Sequence, residues 1–114
     1  MINKKNFSYD ELGDSLIVSN KQEGDVVESN YEVGDMIFSL TEEGKIASLE
    51  IREFSSFLES CGIDYDIADK LESARFFVHD RNDALFLMLQ IEFPRKGLIL
   101  TKNIPIVLPL TTIF

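Results

Sequence analysis

Residues 33–51, VGDMIFSLTEEGKIASLEI, read as a β-hairpin and decide the fold class. Two apolar-rich runs, Met36 to Leu40 and Ile46 to Ile51, flank Glu42-Glu43-Gly44, where glycine supplies the positive φ of a short type I turn with a bulge. Met36, Phe38 and Leu40 alternate onto one face, and Ala47, Leu49 and Ile51 do so on the return run. Ile37 and Ile46 interrupt the polarity of the opposite face.

Upstream, the same period of two predicts strands over Asn6 to Asp10 and Asp14 to Ser19, joined by a turn at Glu11 to Gly13. Asn20 to Gly24 is a polar turn, followed by a short strand, Asp25 to Ser29. Downstream the period changes. Ser56-Phe57-Leu58-Glu59 fits a capping box, which predicts a short helix that Gly62 stops. Asp64 is placed to cap a second helix whose buried stripe is Ile67, Ala68, Leu71 and Ala74, with Asp66 and Lys70 suiting its dipole.

From Arg75 the period of two returns. Phe76 to His79 is a strand, Asp80 to Asp83 a tight turn, and Ala84 to Phe93 the longest strand. Leu85, Leu87, Leu89, Ile91 and Phe93 form one row, but Phe86 and Met88 on the other predict a central strand covered on both sides. Pro94 to Gly97 turns the chain, and Leu98 to Thr101 begins another hairpin through Lys102-Asn103. In the last strand, Ile104 to Leu110, Pro105 and Pro109 lie four apart and lack N–H groups on the same side, which predicts an edge strand.

The expected architecture is α+β: a mainly antiparallel roll or sandwich of seven to nine strands, with one or two short helices inserted mid-chain. At 114 residues the chain suits a single β-rich domain, 1–114. Apolar residues make up 45% and charged residues 27%, a composition that folds.

The net charge of −9, from 20 acidic against 11 basic residues, argues against a protein that grips the phosphate backbone electrostatically, and so against a nucleic-acid partner. The acid is uneven: residues 1–62 carry 13 acidic and 5 basic groups, residues 63–114 carry 7 and 6. A lone cysteine, Cys61, suits a reducing, cytoplasmic setting, and the N-terminus has no apolar run of a signal peptide. No stretch is long and apolar enough for a membrane span.

Tyr9-Asp10-Glu11-Leu12-Gly13-Asp14-Ser15-Leu16-Ile17-Val18, with Glu43-Gly44-Lys45-Ile46 and Leu49-Glu50-Ile51, resembles the DUF2283 family, small prokaryotic proteins of unknown function. The resemblance covers residues 7 to 57. Ser39 and Thr41 stand where that family tends to have aspartates, and Ser48 and Leu49 replace its Gly-Ile. It implies a β-rich domain and supplies no activity; residues 63–114 would be an extension beyond it.

Chemistry is sparse. His79, the single histidine, adjoins Asp80 but has no second histidine or paired nucleophile, so a strand-end role is preferred. Cys61 lies among acidic groups rather than the basic ones that activate a thiol, which favours a small packed hydrophobe over a nucleophile. Asp10, Asp14, Glu42, Glu43 and Glu50 could form a cation-binding or acid/base cluster, yet their spacing matches no oxygen cage and suits turns and a solvent-facing row.

No catalytic, cofactor-binding or metal-binding residue is therefore assigned. The leading expectation is a non-enzymatic interaction or regulatory module that binds a basic protein partner or itself, Phe86, Met88, Ile113 and Phe114 pointing to a homodimer. The rival is an enzyme or metal-binding domain, which requires Asp14, Glu50 and either Arg52 or His79 to converge in a pocket. A small-ligand sensor, with its pocket between sheet and helices, is the third.

Overall fold

The computed structural model describes residues 6–80 and 84–109, apart from the side chains of Asp80 and Pro109. The turn expected at Asp80 to Asp83 falls partly outside these residues, and Leu110, Ile113 and Phe114 fall wholly outside.

The described chain forms eight strands: β1 Phe7–Asp10, β2 Ser15–Ser19, β3 Val27–Val33, β4 Met36–Thr41, β5 Ile46–Ile51, β6 Ser73–Asp80, β7 Ala84–Arg95 and β8 Leu98–Pro109. Between β5 and β6 lie helix α1, Phe54–Ser60, and a 3₁₀ helix, Tyr65–Lys70. β1 to β5 make a five-stranded sheet ordered β1-β2-β5-β4-β3, and the rest a three-stranded sheet ordered β6-β7-β8. Every described pairing is antiparallel. The expected α+β, mainly antiparallel class is the one observed.

Alternation becomes a core because register aligns the apolar positions. Across the first sheet run two rows, Tyr9-Leu16-Ile51-Met36-Val33 and Phe7-Val18-Leu49-Phe38-Tyr31. The second sheet answers with Phe76-Leu89-Ile104 and Val78-Leu87-Ile106. Phe54, Leu58, Ile63, Ile67 and Leu71 join both sheets in one buried cluster. Each such side chain contributes about 1.5–3 kcal/mol when fully buried, so this cluster is the main favourable term.

The hairpin at residues 33–51 has the predicted turn. Thr41 N–H donates to the Lys45 carbonyl at 2.9 Å, Gly44 N–H donates to the Thr41 carbonyl at 2.9 Å, and Gly44 has φ 83°. Its first strand also belongs to an earlier hairpin. The strand expected over Asp25 to Ser29 instead runs Val27–Val33 and turns through Gly34-Asp35, with Gly34 at φ 59° in the first position of a type II′ turn. The polar Glu28, Asn30 and Glu32 concealed its alternation.

Three further expectations are corrected. No hairpin forms at Lys102-Asn103; β8 continues through both, paired with Ile91 and Gln90, and the real turn is Lys96-Gly97 with φ 53° and 79°. Two consecutive positive φ values give the type I′ turn that matches strand twist, which Lys102-Asn103 does not need to supply. The second helix is 3₁₀, and Asp64 makes no capping bond; its carboxylate lies 3.5 Å from Arg95 Nη1, with Asp66 at 3.8 Å from Nη2. Finally, β7 is central, but its Phe86-Met88 row is half-buried beside exposed Phe77 and Val107, with no second layer over it among the described residues.

Gly62 ends α1 as expected. Its φ is 76°, its N–H donates to the Glu59 carbonyl at 3.0 Å, and Ile63 N–H reaches the Leu58 carbonyl at 2.9 Å, a Schellman arrangement with Ile63 and Leu58 both in the core.

Candidate functional site

Among the described residues Asp14 makes a dense set of polar contacts, and it serves the start of α1. That helix begins at Phe54, two residues before the predicted Ser56 cap, behind Glu53 in the left-handed region at φ 54° with no side-chain capping bond of its own. The missing cap comes from far along the chain. Asp14, at φ 51°, accepts from Ser55 N–H at 3.1 and 3.2 Å and from Ser55 Oγ at 2.9 Å, while its main-chain carbonyl accepts from Phe54 N–H at 2.9 Å. Two orphan donors of the helix are thereby satisfied. The capping box is overturned because a carboxylate 41 residues earlier reaches the helix first.

Tyr9 completes this knot, its hydroxyl donating to Asp14 Oδ1 at 2.5 Å. Burial, and then this bond to a carboxylate, push the Tyr9 phenol up from 10.0 to about 12. The ring stacks obliquely on Phe54 at 5.8 Å between centroids, so the knot ties polar and apolar contacts to one helix end. Asp10 is separately engaged: Oδ1 accepts from Leu12 N–H at 3.1 Å, and a Cβ on Gly13 would meet Oδ2 at 2.6 Å, so glycine leaves that carboxylate room.

The remaining candidates do not gather. Glu50 lies half-buried on the outer face of the five-stranded sheet, paired between Ile17 and Ile37, opposite in direction to the core residues Leu49 and Ile51. Arg52 donates through Nη2 to Glu32 Oε2 at 3.0 Å and to the Gly34 carbonyl at 3.2 Å, and its buried Nε has no partner among the described residues. Glu42 and Glu43 are exposed at the β4-β5 turn.

His79 is exposed beside that turn, in a groove of about 690 Å³ shared with Asn20, Glu43, Lys45, Phe77 and Leu85. Asp14 sits by the Ile51 end of β5 and His79 by its Ile46 end, and those two ends of the strand are about 17 Å apart at ~3.4 Å per residue. The convergence that the enzyme reading requires is therefore not formed. Among the described residues no group of three or more His, Cys, Asp or Glu is placed to hold a metal ion.

Cys61 departs from expectation: it is exposed. As the residue that ends α1 it falls beyond the buried Phe54-Leu58 stripe, and Ile63 takes the core position instead. Between β1 and the 3₁₀ helix a recess of about 450 Å³, lined by Tyr9, Asp10, Leu12, Ala68, Asp69 and Leu71, is the space open to a small ligand there.

What the geometry does assemble is a face. On the outside of the five-stranded sheet run the rows Ser8-Ile17-Glu50-Ile37-Glu32 and Ser19-Ser48-Ser39-Asn30. Two of the described cations near it, Lys45 and Arg52, are already engaged. Lys45 donates to Asp25 at 2.8 Å and, with Gln22 N–H donating to the same carboxylate at 2.8 Å, holds the Asp25 carboxyl below its ordinary range; Arg52 holds Glu32. Glu28, Asp35, Glu42, Glu43 and Glu50 form no ion pair among the described residues.

No protein family, curated protein sequence or solved structure matches this chain. Among the described residues no helix is long and apolar enough to cross a membrane.

Proposed function

We propose that the protein is a non-enzymatic interaction module, placed in the cytoplasm, that docks a basic protein partner on the outer face of its five-stranded sheet. One observation carries this reading: among the described residues the carboxylates on and around that face outnumber the cations, and two of those cations, Lys45 and Arg52, are already paired. Such a field steers a basic surface toward the sheet and selects against acidic ones. Ile17, 41% exposed beside Glu50, adds apolar contact within the charged surround. The face coincides with the segment that resembles DUF2283, residues 7 to 57, which we propose as the binding half.

The test is affinity capture from native lysate with the wild-type chain and with Glu50→Lys. Recovery of a basic protein by the wild type and its loss from the variant supports the reading. Equal recovery by both, or none by either, overturns it.

A second reading, self-association, is favoured by the outer face of β6-β7-β8. Phe77 and Val107 are 46% and 51% exposed there, with Met88 and Pro105 between them. The neighbouring rows carry one guanidinium, Arg75, and one carboxylate, Glu92, so this face is balanced in a protein of net charge −9. A second copy could approach here without the repulsion it meets elsewhere. Sedimentation across a concentration series should then show a dimer that Phe77→Asp dissociates; a monomer throughout rejects it.

A further inference from the structure

We infer that the outer edge of β3 is a strand-addition site, completed by an extended partner segment with apolar residues at alternate positions and a basic residue facing Glu32. This rests on the proposed basic partner and names how it is held.

Each sheet edge presents unpaired N–H and C=O groups, and three of the four edges are closed to pairing. In β8 the two-residue turn makes Arg95 and Leu98 a hydrogen-bonded pair, so the odd-numbered residues point outward, and Pro105 and Pro109 remove donors from that side. In β6 the outward Phe76 carbonyl accepts from Asn20 Nδ2 at 2.9 Å, and the strand runs beside β1 and β2. β1 has only four residues and lies against β6.

β3 is different: seven residues, no proline, and an outer side that no described strand occupies. Its two-residue turn through Gly34-Asp35 directs Val33 and Tyr31 to β4 and leaves the N–H and C=O groups of Asn30 and Glu32 outward. The register shift between Val27 and Ser29 bounds the usable edge, leaving five residues, about 17 Å at ~3.4 Å each.

The side chains specify the occupant. On the inner face an added strand would lie beside Tyr31 and Val33, which pack half-buried against the core, so alternate positions should be apolar. On the outer face it would lie beside exposed Asn30 and Glu32, with Glu28 just beyond the register shift, so a position facing Glu32 should be lysine or arginine. Glu32 uses only Oε2 toward Arg52, and its side chain is 63% exposed.

The test is fluorescence anisotropy with a labelled peptide of alternating lysine and valine, and with the same peptide N-methylated at alternate residues, which keeps every charge. Binding should weaken about tenfold on N-methylation and in Asn30→Pro, the loss of one to two backbone hydrogen bonds. The N-methyl peptide leaves the protein unchanged, so a misfolded variant cannot imitate this result. Equal binding of both peptides, weakened by Glu50→Lys, would overturn strand addition and leave the acidic docking face standing. No binding at about 1 mM, the weak end of recognition, would overturn both.

Discussion

The two sheets are alike inside and opposite outside. Their inner rows, Phe38-Leu49-Val18 in one and Phe76-Leu89-Ile104 in the other, are aliphatic and aromatic and share one buried cluster. Their outer rows differ: Ile17-Glu50-Ile37-Glu32 is acidic with apolar points, whereas Phe77-Met88-Pro105 is apolar. Folding needs only the inner faces, so it accounts for their likeness and leaves the outer contrast unexplained. That contrast is where recognition is to be sought.

The likeness is broken most strongly by truncation inside. Leu49→Ala and Leu89→Ala each remove a fully buried side chain, one from each sheet, and should each lower stability by about 2–5 kcal/mol. Urea unfolding should remain one transition in both variants, because the sheets share a core. Two separate transitions would split the molecule into independent halves.

Asp14→Ala comes next. It removes a cap and two charge-assisted contacts together, and should cost about 1–3 kcal/mol. Ultraviolet titration of the phenols should show the Tyr9 pKa falling part of the way from about 12 in the same variant, the share due to burial remaining. An unchanged titration would mean that Asp14 does not hold Tyr9.

The raised Tyr9 pKa also gives stability a direction with pH. The folded state keeps the phenol proton that the unfolded state releases, so this contribution is full below pH 10.0 and is lost as pH rises toward about 12. Tyr9→Phe should flatten that alkaline decline. At the acid end, Asp25, held below its ordinary range by Lys45, contributes stability that is lost as pH falls through its lowered pKa.

Arg52→Met should have the smallest effect, within about 1 kcal/mol of wild type. An exposed ion pair with Glu32 is worth about 0–1 kcal/mol, and the change also removes the buried, unpartnered Nε. A larger loss would show that Arg52 organises the β3-β4 turn.

Much of this architecture is legible where chemistry is local. The turn at Glu42-Glu43-Gly44, the stop at Gly62 and the edge position of Pro105 follow from what glycine and proline can do with their own backbones. The rest depends on residues far apart. Nothing near Phe54 signals a helix start, because its cap is Asp14, 41 residues away. β3 hides because its outer residues Glu28, Asn30 and Glu32 and its modest inner ones make a weak alternation. Arg95 claims Asp64 across the fold, and a cap that looks local is lost to it. The candidate acids scatter for the same reason: neighbours in sequence fix turns, whereas register decides which carboxylates share a face.

The most direct measurement of the docking claim is side-chain oxidation footprinting of the protein with and without its captured basic partner. The account predicts protection of Ile17 and Ile37 on the five-stranded sheet, with Phe77 and Met88 oxidised as in the free protein. Protection confined to Phe77 and Met88, or no protection at Ile17 and Ile37, would contradict it.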